Sequence, residues 1–279
     1  MCITVNKAAL SSTKIMSLTL DNGRQFIAYS NKVDNLSGEP NSMILPIPGV
    51  LKQEWFHNTE KYNDFMDDII DNTTDEDYTG IRSRGLKGKF LSLSYDSFTV
   101  GMYKIGIAAS YEGIQQYIDT LPENERPKIS NELSEFFKTQ YAGWSFVVCA
   151  FAGNKKMESQ PIAFEYEPLG EAFLYFPTMD AHDGGAPNVG EMISVDHTFI
   201  YEHTGEQKED WEMHSYSPYK NRNEKPEYPE FLKNRKFRCK EFQGKMKNGD
   251  TYIKIEEMNK INFLDDPMFY RLQPVPAEV

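Results

Sequence analysis

The sequence predicts an α+β fold, mainly antiparallel sheet with three or four helices, on three observations. Short apolar segments bounded by turn residues outnumber the segments with a helical period. The helical segments fall in two places only, near residues 62–70 and 111–141. The resulting order β, α, β, α-α, β runs through hairpins rather than through strict βαβ alternation.

Residues 14–20 and 24–30 read as two strands joined by Asp21-Asn22-Gly23, where the Asn-Gly pair supplies the positive φ angles of a tight hairpin turn. Residues 42–49 are also extended, but Pro46 and Pro48 cannot donate to a ladder, which predicts an edge strand or one that leaves its sheet. Tyr62, Phe65, Met66, Ile69 and Ile70 then recur at three- and four-residue spacings, one face of a helix. Residues 90–110 read as one or two strands. A short helix over 111–121 is stopped by Pro122, and a second over 130–141 opens at Ser130, carries Glu132 and Glu135 in its first turns and ends at Gly143.

Strands follow at residues 144–151, 161–167, 172–178 and 192–203, the last two bracketing a loop rich in Gly and Asp. Residues 206–229, with Pro218, Pro226 and Pro229, read as an irregular surface loop. Residues 231–239 fit a helix or a strand, residues 251–257 a final strand after the turn Lys247-Asn248-Gly249-Asp250, and residues 272–279 a tail. Residues 1–77 are expected to form a β-rich N-terminal subdomain and 78–279 the main α+β domain.

Composition bounds the function. Thirty Lys+Arg against 42 Asp+Glu leave a net charge of −12, which argues against general affinity for nucleic acid or an anionic membrane. The longest apolar run, residues 146–152, is far shorter than the roughly 20 residues of a membrane-spanning helix. Residues 1–7 lack the features of a secretory signal. Cys2, Cys149 and Cys239 are odd in number and widely spaced, so neither a disulfide framework nor a zinc knuckle is expected. A reducing, cytoplasmic setting fits these features.

The densest polar cluster holds Asp180, His182 and Asp183, followed by Asp196 and His197. Carboxylates and imidazoles at a strand end are the groups that ligate a divalent metal or act as an acid–base pair. Asp180, His182, Asp183 and Asp196 are therefore the candidate metal ligands, and His182, Asp183 and His197 candidate catalytic groups. If residues 172–179 and 192–203 pair as a hairpin, His197 lies roughly 16 Å back from the loop, at about 3.3 Å per residue. His197 and His203 share a face but stand about 20 Å apart by the same rise, too far to share an ion. That face also holds Ile193, Val195, Phe199 and Tyr201, which makes His197 a core residue. The Gly184-Gly185-Ala186-Pro187 that follows His182-Asp183 rules out a helical His-Asp metal motif. Gly80 and Gly85 have the first spacing of a P-loop, but Leu86 stands where its Lys would be. Cys2 is a further candidate: with Met1 removed, its thiol and free amine would share one residue, as in an N-terminal nucleophile hydrolase.

Two charge runs complete the inventory. Residues 64–77 hold seven acids, and residues 233–247 hold Lys233, Arg235, Lys236, Arg238, Lys240, Lys245 and Lys247. Each reads first as a solvated face. The basic run, interleaved with Phe237 and Phe242, is also the place a polyanion or acidic partner would bind.

The segments Tyr103-Lys104-Ile105, Gly143-Trp144-Ser145-Phe146-Val147-Val148, Pro161-Ile162-Ala163-Phe164, Leu174-Tyr175-Phe176-Pro177-Thr178, His182-Asp183-Gly184 and Asp196-His197 resemble a group of uncharacterised bacterial proteins, over roughly residues 100–200. The resemblance implies one continuous domain there and carries no catalytic residue across.

The leading expectation is a non-catalytic cytosolic binding or regulatory protein acting through protein–protein contacts, with another protein, a second copy included, as partner. Aromatic-rich polar residues 211–216 match interface composition. The alternative is a hydrolase using a metal at Asp180/His182/Asp183/Asp196 or Cys2 as nucleophile. No organic cofactor is expected; a divalent metal is left open.

Overall fold

The computed structural model describes residues 2–73, 97–151, 157–170, 173–202, 232, 235, 237–258 and 270–272. Strand β1 (Ile3–Thr4) leads to the long hairpin β2 (Ala8–Thr19) and β3 (Gln25–Asn35), then to β4 (Asn41–Ile47), β5 (Gly49–Val50) and β6 (Phe56–His57). Helix α1 (Phe65–Thr73) precedes the hairpin β7 (Ser97–Val100) and β8 (Tyr103–Ala108). Helices α2 (Tyr111–Thr120) and α3 (Asn131–Gln140) come next, then β9 (Ser145–Phe151), β10 (Met157–Glu158), β11 (Ile162–Pro168), β12 (Phe173–Phe176) and β13 (Met192–Glu202). Strands β14 (Phe237–Lys247) and β15 (Asp250–Lys254), the short helix α4 (Ile255–Met258) and β16 (Tyr270–Leu272) complete the described chain. This is the predicted α+β class, with mainly antiparallel sheets.

Four layers result. One sheet has the order β1-β4-β9-β8-β7 and a larger one β14-β13-β2-β3-β11-β5, with β10 beside β3 and β6 beside β11. Their facing sides share one core, to which the large sheet sends Ile15, Ile27, Tyr29 and Phe164 and the smaller one Met43, Leu45, Ile105 and Val147. The outer face of the smaller sheet is covered by α2 and α3 through Ile114, Ile118, Leu133 and Phe137. The outer face of the larger sheet is covered by α1 through Phe65, Met66, Ile69 and Ile70, four of the five apolar residues read from the periodicity. Covering both faces of the smaller sheet explains why β4 and β9 are buried at every position instead of at alternate ones.

Several local expectations hold. Gly23 adopts φ +82° in the β2–β3 turn, where the Asn22 side-chain carbonyl accepts the Arg24 N–H at 3.0 Å. Ser130 caps α3, its Oγ accepting the Leu133 N–H at 3.2 Å and donating to the Gly184 carbonyl at 3.0 Å. Gly184 has φ +86°, and a Cβ there would stand 2.5 Å from the Val5 carbonyl oxygen, so only glycine fits.

Three expectations are corrected. β4 is an interior strand, with β1 on one side and β9 on the other. Its proline is tolerated because β1 spans only Ile44 and Met43, leaving Pro46 beyond the reach of that ladder. Residues 172–179 and 192–203 do not form a hairpin: β12 pairs with β15, whereas β13 lies between β14, antiparallel, and β2, parallel. The residues between β12 and β13 cross to β1 instead of turning back: the Thr4 N–H donates to the Ala181 carbonyl at 2.8 Å and the Ala8 N–H to the His182 carbonyl at 2.9 Å. The strand expected over residues 251–257 ends at Lys254, and residues 255–257 belong to the helix Ile255–Met258. The boundary near residue 77, the P-loop-like glycines, His203 and residues 206–229 lie outside the described residues. Strands β2, β3 and β4 pair with β13, β11 and β9, so the first 50 residues are woven into sheets made by the rest.

The turn between β14 and β15 anchors this crossing. Asp250 is 2% exposed; its Oδ1 accepts the N–H groups of Thr178 and Met179, both at 2.8 Å, and its Oδ2 the Tyr141 hydroxyl at 2.7 Å. Burial raises its carboxyl above the usual carboxylate range, and those donors oppose the shift. Asn248 bonds both ways to Asp180, accepting its N–H at 2.9 Å and donating to its carbonyl at 2.7 Å. Asp250→Ala would strand three buried donors and is expected to cost about 3–5 kcal/mol. Asp250→Asn, which keeps an acceptor for the two N–H groups, should cost less than half as much. Urea unfolding midpoints check both values.

Candidate functional site

The sequence-derived candidates are distributed over three structural settings. Cys2 is 2% exposed in the inter-sheet core, and burial pushes its thiol up to about 12. Its backbone carbonyl accepts the Ala181 N–H at 3.2 Å. Cys149, in the same core, is likewise raised by burial. A thiol held protonated in an apolar setting is a poor nucleophile at neutral pH.

Asp180 and His182 are brought together: His182 Nε2 lies 2.7 Å from Asp180 Oδ1, off the ring's N–H axis. Asp183 is exposed and accepts the Gly185 N–H at 3.0 Å, which shapes its own loop. Asp196 is engaged elsewhere, its Oδ2 accepting the Ser12 N–H at 2.6 Å. Ser12 has φ 51° at a break in the β2–β3 register, so Asp196 holds a bulge. Ser12 is four residues along β2 from Ala8, whose N–H meets His182, a span of about 13 Å by strand rise. Among the described residues no group of three or more His, Cys, Asp or Glu could hold a metal ion. His197 is 1% exposed and stacks on Phe199 with centroids 6.0 Å apart, the core position its strand face implied.

The basic run falls mostly on β14, longer than the segment read from sequence, with Lys233 and Lys236 outside the described residues. Arg235 is occupied internally, donating to Thr19 O and to the Glu202 and Asp21 carboxylates. In the acidic run, Asp67 pairs with Lys14 at 2.5 Å.

One surface was not read from the sequence. After β5 the chain makes a 3-10 turn over Gln53–Trp55 and enters β6, which pairs with β11. Gly49 permits this course, since a Cβ there would meet the Glu167 carbonyl oxygen and the Tyr166 ring at 2.4 Å. Trp55, half-buried, then carries two cations over its ring, the Arg24 guanidinium 4.8 Å and the Lys52 ammonium 4.7 Å from the centroid. Such contacts hold an indole in place while leaving its rim accessible. Glu165 fixes the floor, 3.0 Å from Arg24 and 3.0 Å from His57 Nε2. Burial lowers the His57 ring below the ordinary histidine range, against the raising influence of Glu165. Val50, paired across from Glu167, and Leu169, whose N–H donates to Pro48 O, expose large apolar side chains at the same end of the sheet. The only sequence signal was Trp55 in a charged stretch; its cation partner Arg24 is 31 positions away and became adjacent through β3–β11 pairing.

No protein-family model and no curated protein matches this chain. Among solved structures it is similar to baculovirus P35, at 16% identity and a TM-score of 0.49, covering 98% of this chain and 95% of that one. It is also similar to a caspase-8/P35 complex, at 16% identity and a TM-score of 0.44, covering 88% and 87%. A mutated baculovirus P35 after caspase cleavage matches at 15% identity and a TM-score of 0.41, covering 95% and 93%.

Two outcomes follow from this geometry. In the native protein a thiol reagent should label Cys239, which is half-buried, at least tenfold faster than Cys2 or Cys149; peptide mapping after timed alkylation reads the order. Because the folded-state affinity of His57 for a proton is lowered, the unfolded chain gains more protons as pH falls through about 6.5, and stability should decline there. His57→Gln should flatten that slope in urea midpoints measured between pH 5 and 7.5.

Proposed function

We propose that this chain is a non-catalytic cytosolic binding or regulatory protein that acts through protein–protein contacts. The surface around Trp55 supports the reading most directly. Trp and Arg dominate the residues that carry binding energy in interfaces, and a half-exposed indole flanked by two cations beside exposed Val50 and Leu169 matches that composition.

The test is comparative capture. Full-length wild type and Trp55→Ala are immobilised in equal amounts, and retained proteins are compared by quantitative mass spectrometry. Purified caspase-8, the protein held by P35 in one of the complexes above, is offered as a first defined protein. The reading expects at least one protein retained by wild type and reduced tenfold or more by Trp55→Ala, with both chains showing the same unfolding midpoint. Identical retention by the two would overturn the assignment of this surface.

A further inference from the structure

Asparagine followed by glycine occurs twice in the chain, as Asn22-Gly23 in the β2–β3 turn and as Asn248-Gly249 in the turn between β14 and β15. The pair is chemically labile, because no Cβ shields the glycine nitrogen from the carboxamide carbon of the residue before it. The two copies stand in opposite settings.

Asn22 and Gly23 are exposed, and a Cβ built on Gly23 would meet nothing within 4 Å. The Asn22 carboxamide has one hydrogen bond among the described residues, its Oδ1 accepting the Arg24 N–H at 3.0 Å. That donor faces the oxygen on which charge gathers when Cγ is attacked, so the bond that shapes the turn also favours the reaction. The restraint on the attacking atom is the Gly23 N–H, which donates to the Leu20 carbonyl at 2.9 Å. A solvent-exposed bond of this kind, in a loop, opens at little cost. Asn248, by contrast, is 4% exposed and held at both ends of its carboxamide. Its Oδ1 accepts the Asp180 N–H at 2.9 Å and its Nδ2 donates to the Asp180 carbonyl at 2.7 Å, so Cγ cannot swing toward the Gly249 nitrogen without breaking both bonds.

We propose that Asn22 is a site of spontaneous deamidation and that its conversion changes the Trp55 surface. The Gly23 nitrogen bonds to Asn22 Cγ, the Cγ–Nδ2 bond breaks, and ammonia leaves with the displaced amide proton. Water then opens the cyclic imide. Addition at Cγ restores the original peptide link and leaves aspartate; addition at the backbone carbonyl leaves isoaspartate, with the chain running through Cβ and Cγ. Either product places a carboxylate two residues from Arg24, whose guanidinium lies 4.8 Å from the Trp55 centroid and 3.0 Å from Glu165. Isoaspartate also adds one backbone atom to a turn closed by the Leu20 N–H on the Arg24 carbonyl at 2.8 Å, which shifts Arg24 from its place over the indole.

The full-length protein is aged at 37 °C and pH 7.4, and the peptides holding Asn22 and Asn248 are followed by mass spectrometry after digestion in acid. A gain of one mass unit reads deamidation, and electron-transfer fragmentation separates isoaspartate from aspartate. Asn22 should convert at least tenfold faster than Asn248 in the folded protein. In urea, where only the shared Asn-Gly sequence counts, the two rates should come within threefold of each other. A second Trp55 indole N–H signal, assigned by its loss in Trp55→Phe, should grow in NMR spectra at the rate of Asn22 conversion and be absent from aged Asn22→Gln. Equal rates for Asn22 and Asn248 in the folded chain, or an Asn22 that reacts only in urea, would overturn the site. A Trp55 signal unchanged in converted protein would overturn its link to that surface.

Discussion

A buried carboxylate organises the molecule. Asp250 is placed by a tight turn late in the chain, yet the groups it satisfies come from the end of β12 and from the residue after α3. Burial of an unpaired carboxylate is among the most costly arrangements in a protein, so the turn and its donors must form together or not at all. The adjoining Asn248 extends the same constraint to Asp180. What these bonds fix is the path of residues 178–182, and that path supplies the second neighbour of β1. The smaller sheet's first strand, α3 and the β12–β15 pair are therefore held by one polar junction set in an apolar surround.

With that junction in place, the rest is packing. Two sheets stacked face to face, each covered on its outer side by helices, leave few large apolar side chains exposed among the described residues. Three of the groups singled out in the sequence hold positions in this architecture: Cys2 lies in the inter-sheet core, His197 stacks on Phe199 and Asp196 stabilises a bulge. The feature left facing outward is of another kind, an indole with two cations over its ring.

Local structure was legible where one residue type has one conformational use. Asn22-Gly23 marked its hairpin, Ser130 its helix start, and the apolar spacing from Phe65 to Ile70 the buried face of α1. Alternation also placed His197 in the core. What alternation cannot convey is which strand lies next to which: β12 and β13 have equally plausible patterns as a hairpin, and the choice was made by Asp250 and Asn248 some 70 positions away. The prolines of β4 misled for a related reason, since whether a missing N–H matters depends on how far the neighbouring strand extends. The Trp55 surface was illegible because its parts come from β3, the turn before β6 and β11, and only the sheet register assembles them.

The placement of β1 has a consequence for biosynthesis. Thr4 is bonded to Ala181, 177 positions downstream, and the neighbouring Asp180 is in turn fixed by Asn248 in the turn before β15. A ribosome adding roughly 5–20 residues per second would need on the order of 10–50 s to deliver that turn. Throughout that interval Cys2 and Ile3, both core residues in the finished protein, have no complete site to occupy. Such dependence of the earliest segment on the latest raises contact order and slows folding, and it exposes apolar surface while the chain is still emerging. The start of this chain is thus among the last parts of the fold to be closed.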